Sequence, residues 1–227
     1  MWYRCARALA WFLFWVAFRA RVTGSERIPA SGGLLLVSNH LSFADPLLIG
    51  WAMPRPVEFM GLAELFRVPV LGWLARKLGG FPVRRDTVDY HAVREAVRRL
   101  KQGRCVGIFA EGGIRLGTDS ILSGPRPLKP GATHIALLSG ATVLPVVVRN
   151  TRQFHHLSRW FRGGRMHVSF GRPFQFCTRE VTAAHRLLEQ LLWKTVEETS
   201  CSDTVARRDA NRIVAVSDPA RPRRRSA

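Results

Sequence analysis

The sequence is poor in acid, in lysine and in cysteine. Asp and Glu number 16 against 35 Lys and Arg, nearly all of the latter arginine, which gives a formal charge of +19. The four cysteines, Cys5, Cys105, Cys177 and Cys201, are scattered without a CxxC pair. That excludes a sequence-local zinc framework and fits a reducing compartment. There is no GxxxxGK[ST] phosphate loop and no GxSxG elbow, so a P-loop nucleotide enzyme and a serine hydrolase of the elbow type are both disfavoured. Ser38 and Ser42 flank a histidine but lack the strand-turn-helix setting of a nucleophile. His155 and His156 adjoin each other with no other ligand cluster around them, and His91, His134, His167 and His185 are read as structural. No metal is expected. No long hydrophobic run is present either. The longest candidate, "ALAWFLFWVAF" at 8–18, covers roughly 16 Å as a helix, about half of a ~30 Å hydrocarbon core.

What is present begins with that segment. Arg4 and Arg7 precede it, Arg19 and Arg21 follow it, and Trp2, Trp11 and Trp15 punctuate it. No small-x-small cleavage site follows, which argues against a secretory signal. Arginines that snorkel and indoles at headgroup level suit a helix lying in a membrane interface, although a helix docked on the domain would show the same pattern. The positive charge attracts polyanions of every class: anionic lipid, phosphate-bearing ligands, nucleic acid. The basic residues are spread along the chain, and no zinc-finger, helix-turn-helix or RNA-binding aromatic signature appears, which argues against nucleic acid.

The organisation is that of one α/β domain of 23–199, between an amphipathic membrane-associating helix at 1–22 and a basic, Pro- and Arg-rich tail at 200–227 expected to be disordered. Short apolar runs, "GLLLVSN", "VEFMG", "CVGIFAEG", "TVLPVVV" and "RMHVSFG", read as strands. Between them, 46–53, 65–80 (broken), 88–102, 131–138 and 179–199 read as helices. Val93, Ala96, Val97 and Leu100 share one face, and Gly103 stands where a helix would stop. Val181, Ala184, Leu188, Leu191 and Val196 share a side of the last helix. This alternation predicts a mixed, mainly parallel sheet flanked by helices. Ligands of such sheets bind at the carboxyl ends of strands, which directs attention to Asn39-His40, Glu111-Gly112 and the surroundings of Pro145.

His40 lies just past the first strand and Asp45 at the start of the next helix. A carboxylate on one ring nitrogen fixes the tautomer, frees the other nitrogen to take a proton and stabilises the imidazolium. Asp before Pro at a helix start is also what simple capping selects, so spacing alone leaves both readings open. Three further features follow in order: Gly79-x-Phe81-x-x-Arg84, then Glu111-Gly112-Gly113 with Arg115 close behind, then Pro145 inside "VLPVVV", where a missing N–H is tolerated at an edge or bulge.

With NHxSxxD before them, these motifs span 33–149, and the ordered set resembles the glycerolipid acyltransferase family, whose best-known members are lysophosphatidic acid (1-acylglycerol-3-phosphate) acyltransferases. The resemblance implies a mixed α/β fold and transfer of a fatty acyl group from an acyl thioester, coenzyme A or acyl carrier protein, to a lysophospholipid hydroxyl, with no cofactor beyond that co-substrate. It implies His40 as general base and Asp45 as the partner that orients it. Gly79, Phe81 and Arg84 match a block associated with the phosphorylated acceptor, Glu111 and Gly112 the third block, and Pro145 a fourth that shapes the site. The commoner third block is Glu-Gly-Thr-Arg; here it is Glu-Gly-Gly-Ile-Arg, which moves Arg115 one position along and leaves another lyso-lipid acceptor open. Peripheral or monotopic attachment to the cytoplasmic face of the membrane, against anionic lipid, is the corresponding expectation. The non-enzyme alternative is an inactive membrane- or nucleic-acid-binding relative. An intact His40 and Asp45 argue against it.

Overall fold

The structure, a computed structural model, describes residues 18–84, 89–155 and 165–216, without the side chains of 154–155 and 201–216. Residues 1–17 of the expected membrane-interface helix at 1–22 lie outside the described residues, as does the tail beyond Val216; Arg21 and Val22, at the end of that expected helix, belong to a strand instead. Among the described residues, no helix is long and apolar enough to cross a membrane.

The described residues form one sheet of seven strands: β1 Arg21–Thr23, β2 Leu34–Ser38, β3 Val57–Leu62, β4 Phe81–Val83, β5 Cys105–Phe109, β6 Thr142–Arg149 and β7 His167–Phe170, in the spatial order β1-β7-β6-β2-β5-β3-β4. All neighbours are parallel except β6 and β7, so the sheet is mixed and mainly parallel, as expected. The helices are α1 Asp45–Ala52, α2 Pro69–Lys77, α3 Tyr90–Lys101, α4 Gly131–Ser139 and α5 Val181–Val216. Two short strands escape sequence reading. β1 is three residues long with an exposed-intermediate-exposed pattern, and β4 carries a proline. Neither is long enough to show a period.

β2 is central, and all five of its residues are buried. That is why it reads as a continuous apolar run: both faces of a parallel sheet are covered. Its side chains alternate between two cores. Leu35 and Val37 join Val106, Val143 and Val147 beneath α3, α4 and α5. Leu34 and Leu36 join Leu144, Val146 and Val148 against Leu48 and Ile49 of α1. The α3 face is as expected, with Ala92, Ala96 and Leu100 buried and Val93 and Val97 packed at its margin. On α5 the seam is Ala184, Leu188, Leu192 and Val196. Leu192 replaces the expected Leu191 because a spacing of four holds the seam nearer one line than a spacing of three. The helix also continues past the expected end at Thr199, to Val216.

Pro145 sits in β6 between two neighbouring strands, opposite Val37 of β2. Its carbonyl accepts from Gly171 N–H at 2.8 Å, just past the end of β7. Within a strand the N and C=O of one residue point the same way, so the missing N–H falls where the regular ladder with β7 has already stopped at Phe170.

Candidate active site

β2, β5 and β3 run parallel and end together, and the loop after β2 carries the first motif. The Asp45 carboxylate is fully buried and the His40 residue 8% exposed. His40 Nδ1 lies 2.7 Å from Asp45 Oδ2. The same oxygen accepts the backbone N–H groups of Leu41 at 2.6 Å and Ser42 at 2.9 Å. Asp45 therefore does not cap α1. It is the first helical residue, the cap position belongs to Ala44, and no side chain caps there. Its carboxylate turns back into the preceding loop instead of forward to the helix, because three donors converge on that one oxygen. Ser42 Oγ accepts from Ala44 N–H at 3.1 Å and tightens the same turn.

The imidazole is fixed from a second direction. Phe109, the last residue of β5, stacks on it with centroids 3.9 Å apart and planes 13° from parallel, and Phe59 stacks on Phe109 at 5.5 Å. Room for the Phe59 ring comes from Gly107, where a Cβ would lie 2.4 Å from a ring carbon. Asn39, fully buried, clamps the loop to β6 by accepting from Val148 N–H at 2.8 Å and donating to Val148 C=O at 3.0 Å.

The third motif closes over this loop. Glu111 Oε2 accepts His40 N–H at 2.7 Å, while Oε1 accepts Ile121 N–H at 2.7 Å and Ser120 Oγ–H at 3.1 Å. Burial raises the Glu111 pKa above the ordinary carboxylate value, and these donors oppose the shift without cancelling it. Gly112 follows at φ +72°, where a Cβ would meet the Lys129 chain at 2.8 Å. The two-glycine turn brings Arg115 back so that its N–H donates to His40 C=O at 2.8 Å, with the residue itself exposed. The extra position in the motif thus leaves Arg115 anchored directly beside His40.

The second motif lies on the far side of β3. Gly79 adopts φ +82°, and a Cβ there would meet Glu58 Cγ at 2.9 Å. Arg99 of α3 donates to the Gly79 carbonyl, pairs with Glu58 at 3.0 Å and Glu95 at 2.6 Å, and stands 4.2 Å over the Phe81 ring. Phe81 is buried in the core. Of the three motif residues only Arg84 is exposed, its N–H donating to Asp89 Oδ2 at 3.0 Å. Pro145 is not gathered with the others; it packs beside Gly171 near Thr195, and reaches the site only through the strand that leads to Val148.

The structure thus brings His40, Asp45, Glu111, Gly112 and Arg115 together and sets Gly79, Phe81 and Arg84 to one side on their own scaffold. Sequence reading missed Phe109, Asn39's clamp and Arg99. Phe109 stood at the end of a recognised strand, next to the Glu-Gly-Gly turn, which was the available signal; Arg99 had none. Among the described residues no group of His, Cys, Asp and Glu is placed to hold a metal ion.

Residues 19–149 match the family model described as Acyltransferase. The chain is 30% identical over 161 residues to the 1-acyl-sn-glycerol-3-phosphate acyltransferase of Borreliella burgdorferi, which covers 70% of this chain and 62% of that one. It is 29% identical over 170 residues to the Bacillus subtilis protein of the same name, covering 74% and 80%. It is 30% identical over 175 residues to the lyso-ornithine lipid O-acyltransferase of Pseudomonas aeruginosa, covering 69% and 64%. The chain thus spans about two thirds of the length of two of these three. The crystal structure of the 1-acyl-sn-glycerophosphate acyltransferase of Thermotoga maritima superposes with a TM-score of 0.66 at 26% identity, over 87% of this chain and 79% of that one.

Proposed function

Since the chain belongs to the acyltransferase family, we propose that it moves a fatty acyl group from an acyl thioester to the free hydroxyl of 1-acylglycerol-3-phosphate, giving phosphatidic acid. The observation that carries the mechanism is the clamp on His40. With Asp45 Oδ2 receiving the Nδ1 proton, the lone pair sits on Nε2, and the Phe109 stack fixes the direction in which it points. Nε2 removes the proton of the acceptor hydroxyl as the oxygen attacks the thioester carbonyl, and Asp45 stabilises the imidazolium. The tetrahedral oxyanion collapses and expels thiolate, a good leaving group, so no enzyme nucleophile is needed. General-base catalysis supplies about 10²–10⁴-fold; holding the two substrates in line supplies much of the remainder.

Arg84 and Arg115 are the exposed guanidinium groups of the motifs. They suit a phosphate monoester because each can bind it bidentately. The donor is coenzyme A or acyl carrier protein, and the reaction takes place at the cytoplasmic membrane surface, with the protein attached peripherally or monotopically. Support comes from the names of the relatives, the basic surface and the buried pair. A second reading, a different lyso-lipid acceptor, rests on the Glu-Gly-Gly-Ile-Arg departure and on the lyso-ornithine lipid enzyme among the relatives.

The test is acyl transfer from long-chain acyl-CoA and acyl-ACP to lysophosphatidic acid and to lyso-ornithine lipid, in mixed micelles, by wild type and His40→Ala. Transfer to lysophosphatidic acid that falls by at least about 10²-fold in the variant supports the proposal. Transfer to lyso-ornithine lipid alone moves the acceptor assignment, and no transfer by folded wild type to either overturns the reading.

A further inference from the structure

Eleven large apolar residues are exposed among those described, and five of them fall within the seven residues 68–74: Val68 44%, Val70 73%, Leu71 49%, Trp73 46% and Leu74 37%. This is the stretch that opens α2, and the structure leaves it outside both cores. α2 seats itself through its one buried residue, Gly72, whose Cα side lies so close to the backbone of Phe66 that a Cβ would meet the Phe66 carbonyl oxygen at 2.4 Å. The glycine brings the helix down onto its own preceding turn and leaves the large side chains facing outward.

Beyond Glu64, which is exposed in the turn before the helix, the charge along this stretch has one sign. From Leu65 to Arg84 there is no acidic residue, and Arg67, Arg76, Lys77 and Arg84 all lie within it. Arg67, Arg76 and Lys77 are exposed. An apolar ridge of Val, Leu and Trp with cations at both ends is the composition of an interfacial helix on anionic lipid. Its position matters as much. β3 runs parallel to β2 through β5, so the chain leaves Leu62 at the same end of the sheet where His40 follows Ser38. α2 starts from that end and returns the chain along β3 to Gly79 beside Glu58, from which it runs on to Phe81 and Arg84. Two other exposed apolar residues share this end: Phe43 at 68%, between His40 and Asp45, and Leu116 at 40%, next to Arg115.

We propose that the outer face of α2, around Val70, Leu71, Trp73 and Leu74 with Arg67 and Lys77, is a membrane-docking surface for anionic phospholipid, separate from residues 1–17, which sets the acceptor-binding block and His40 against the leaflet. Its purpose rests on the lipid-acceptor reading above. Docking by α2 places Arg84 at headgroup depth, where a lysophospholipid phosphate lies, so the acceptor need not leave the bilayer to reach the base.

The test uses the full chain and vesicles of phosphatidylglycerol with phosphatidylcholine, or of phosphatidylcholine alone, with partitioning read by flotation. Anchors on one molecule multiply in the partition coefficient, so residues 1–17 do not mask a second one. The quadruple variant Val70→Gln/Leu71→Gln/Trp73→Gln/Leu74→Gln is expected to lose at least about tenfold in partitioning on both vesicles, since each apolar side chain contributes on the order of a few-fold to tenfold. Its melting temperature and gel-filtration elution should be unchanged. Arg67→Gln/Lys77→Gln is expected to lose up to about thirtyfold on the anionic vesicles only. Unchanged partitioning of the quadruple variant overturns the proposal. If that comes with a lower melting temperature or altered elution, the face is covered by residues 1–17 or by a second copy of the chain. Should the quadruple variant lose both stability and partitioning, Val70→Gln alone decides: a several-fold loss upholds the proposal and no loss overturns it. Partitioning needs no turnover. Wild type that docks through α2 yet transfers no acyl group would sink the acceptor assignment and leave the docking surface standing.

Discussion

The loop from Asn39 to Asp45 and the stretch from Gly79 to Arg84 meet opposite demands. In the first, nearly every polar group is buried and fixed: one carboxylate oxygen holds a ring nitrogen and two amides, a second carboxylate holds the His40 amide, and Asn39 is stitched to β6. In the second, the buried members are scaffold and Arg84, the proposed acceptor-binding cation, is exposed. Arg99, itself paired with Glu58, donates to the Gly79 carbonyl and stands over the Phe81 ring, while Arg84 stays exposed. A base must meet one proton along one line, and an error of an ångström is costly. A cation that receives a mobile headgroup gains by remaining hydrated and reachable until the ligand arrives. On the proposed function, one end is prepared in advance and the other is completed by substrate.

Substitutions that damage one end and spare the other test that contrast. The largest effect is expected from Asp45→Asn. The amide still fits, but its oxygen lacks the charge that holds the imidazolium, and its NH2 cannot accept. kcat should fall by about 10²–10⁴-fold, by analogy with the orienting carboxylate of other His-Asp pairs, with little change in acceptor KM. Steady-state kinetics at saturating donor would show it; a purely KM effect would refute the preorganised role.

Arg84→Gln should do the reverse. Loss of a charge-assisted contact of about 1.5–3 kcal/mol lowers kcat/KM for a phosphate acceptor by roughly ten- to a hundredfold through KM, with kcat and the melting temperature nearly unaltered. If kcat falls instead, Arg84 belongs to the prepared end and the contrast fails.

The smallest expected effect concerns Glu111 and is read as a pH slope. Its folded pKa is raised by burial, so over the window from the ordinary glutamate range up to that raised value the folded protein holds a proton that the unfolded chain has released. Stability therefore decreases as pH rises through the window and levels off above it. Glu111→Gln should flatten that slope in denaturant melts taken across the acid range. An unchanged slope would mean that other groups set it.

Much of the fold was legible because its signals are local. A five-residue run with both faces covered announces β2, an apolar side announces α5 although Val181 is exposed and Leu191 gives way to Leu192, and Gly103 at φ +76° ends α3 where expected. β1 and β4 are too short to carry a period. Asp45 shows how a local rule misleads: Asp-Pro at a helix start reads as a cap, yet the carboxylate turned to the loop, where the imidazole and two amides outweighed the helix terminus. Phe81 and Arg84, read together as one binding block, separate into a core side chain and an exposed one once Arg99 lies over the ring.

The sequence by itself determined the longer strands and the helices, that His40 would follow a strand end, and that Asp45 would lie within reach of it, because periodicity and a five-residue spacing act over a turn or two of chain. Only the tertiary structure decided what holds that histidine still. The Glu111 carboxylate comes from 71 residues away and the Asn39 clamp on Val148 spans 109. Phe109 meets the ring because β5 happens to be the neighbour of β2. Partners of that kind depend on which strands lie side by side. Strand order is fixed by burial of the two cores as wholes, and no short stretch of sequence contains it.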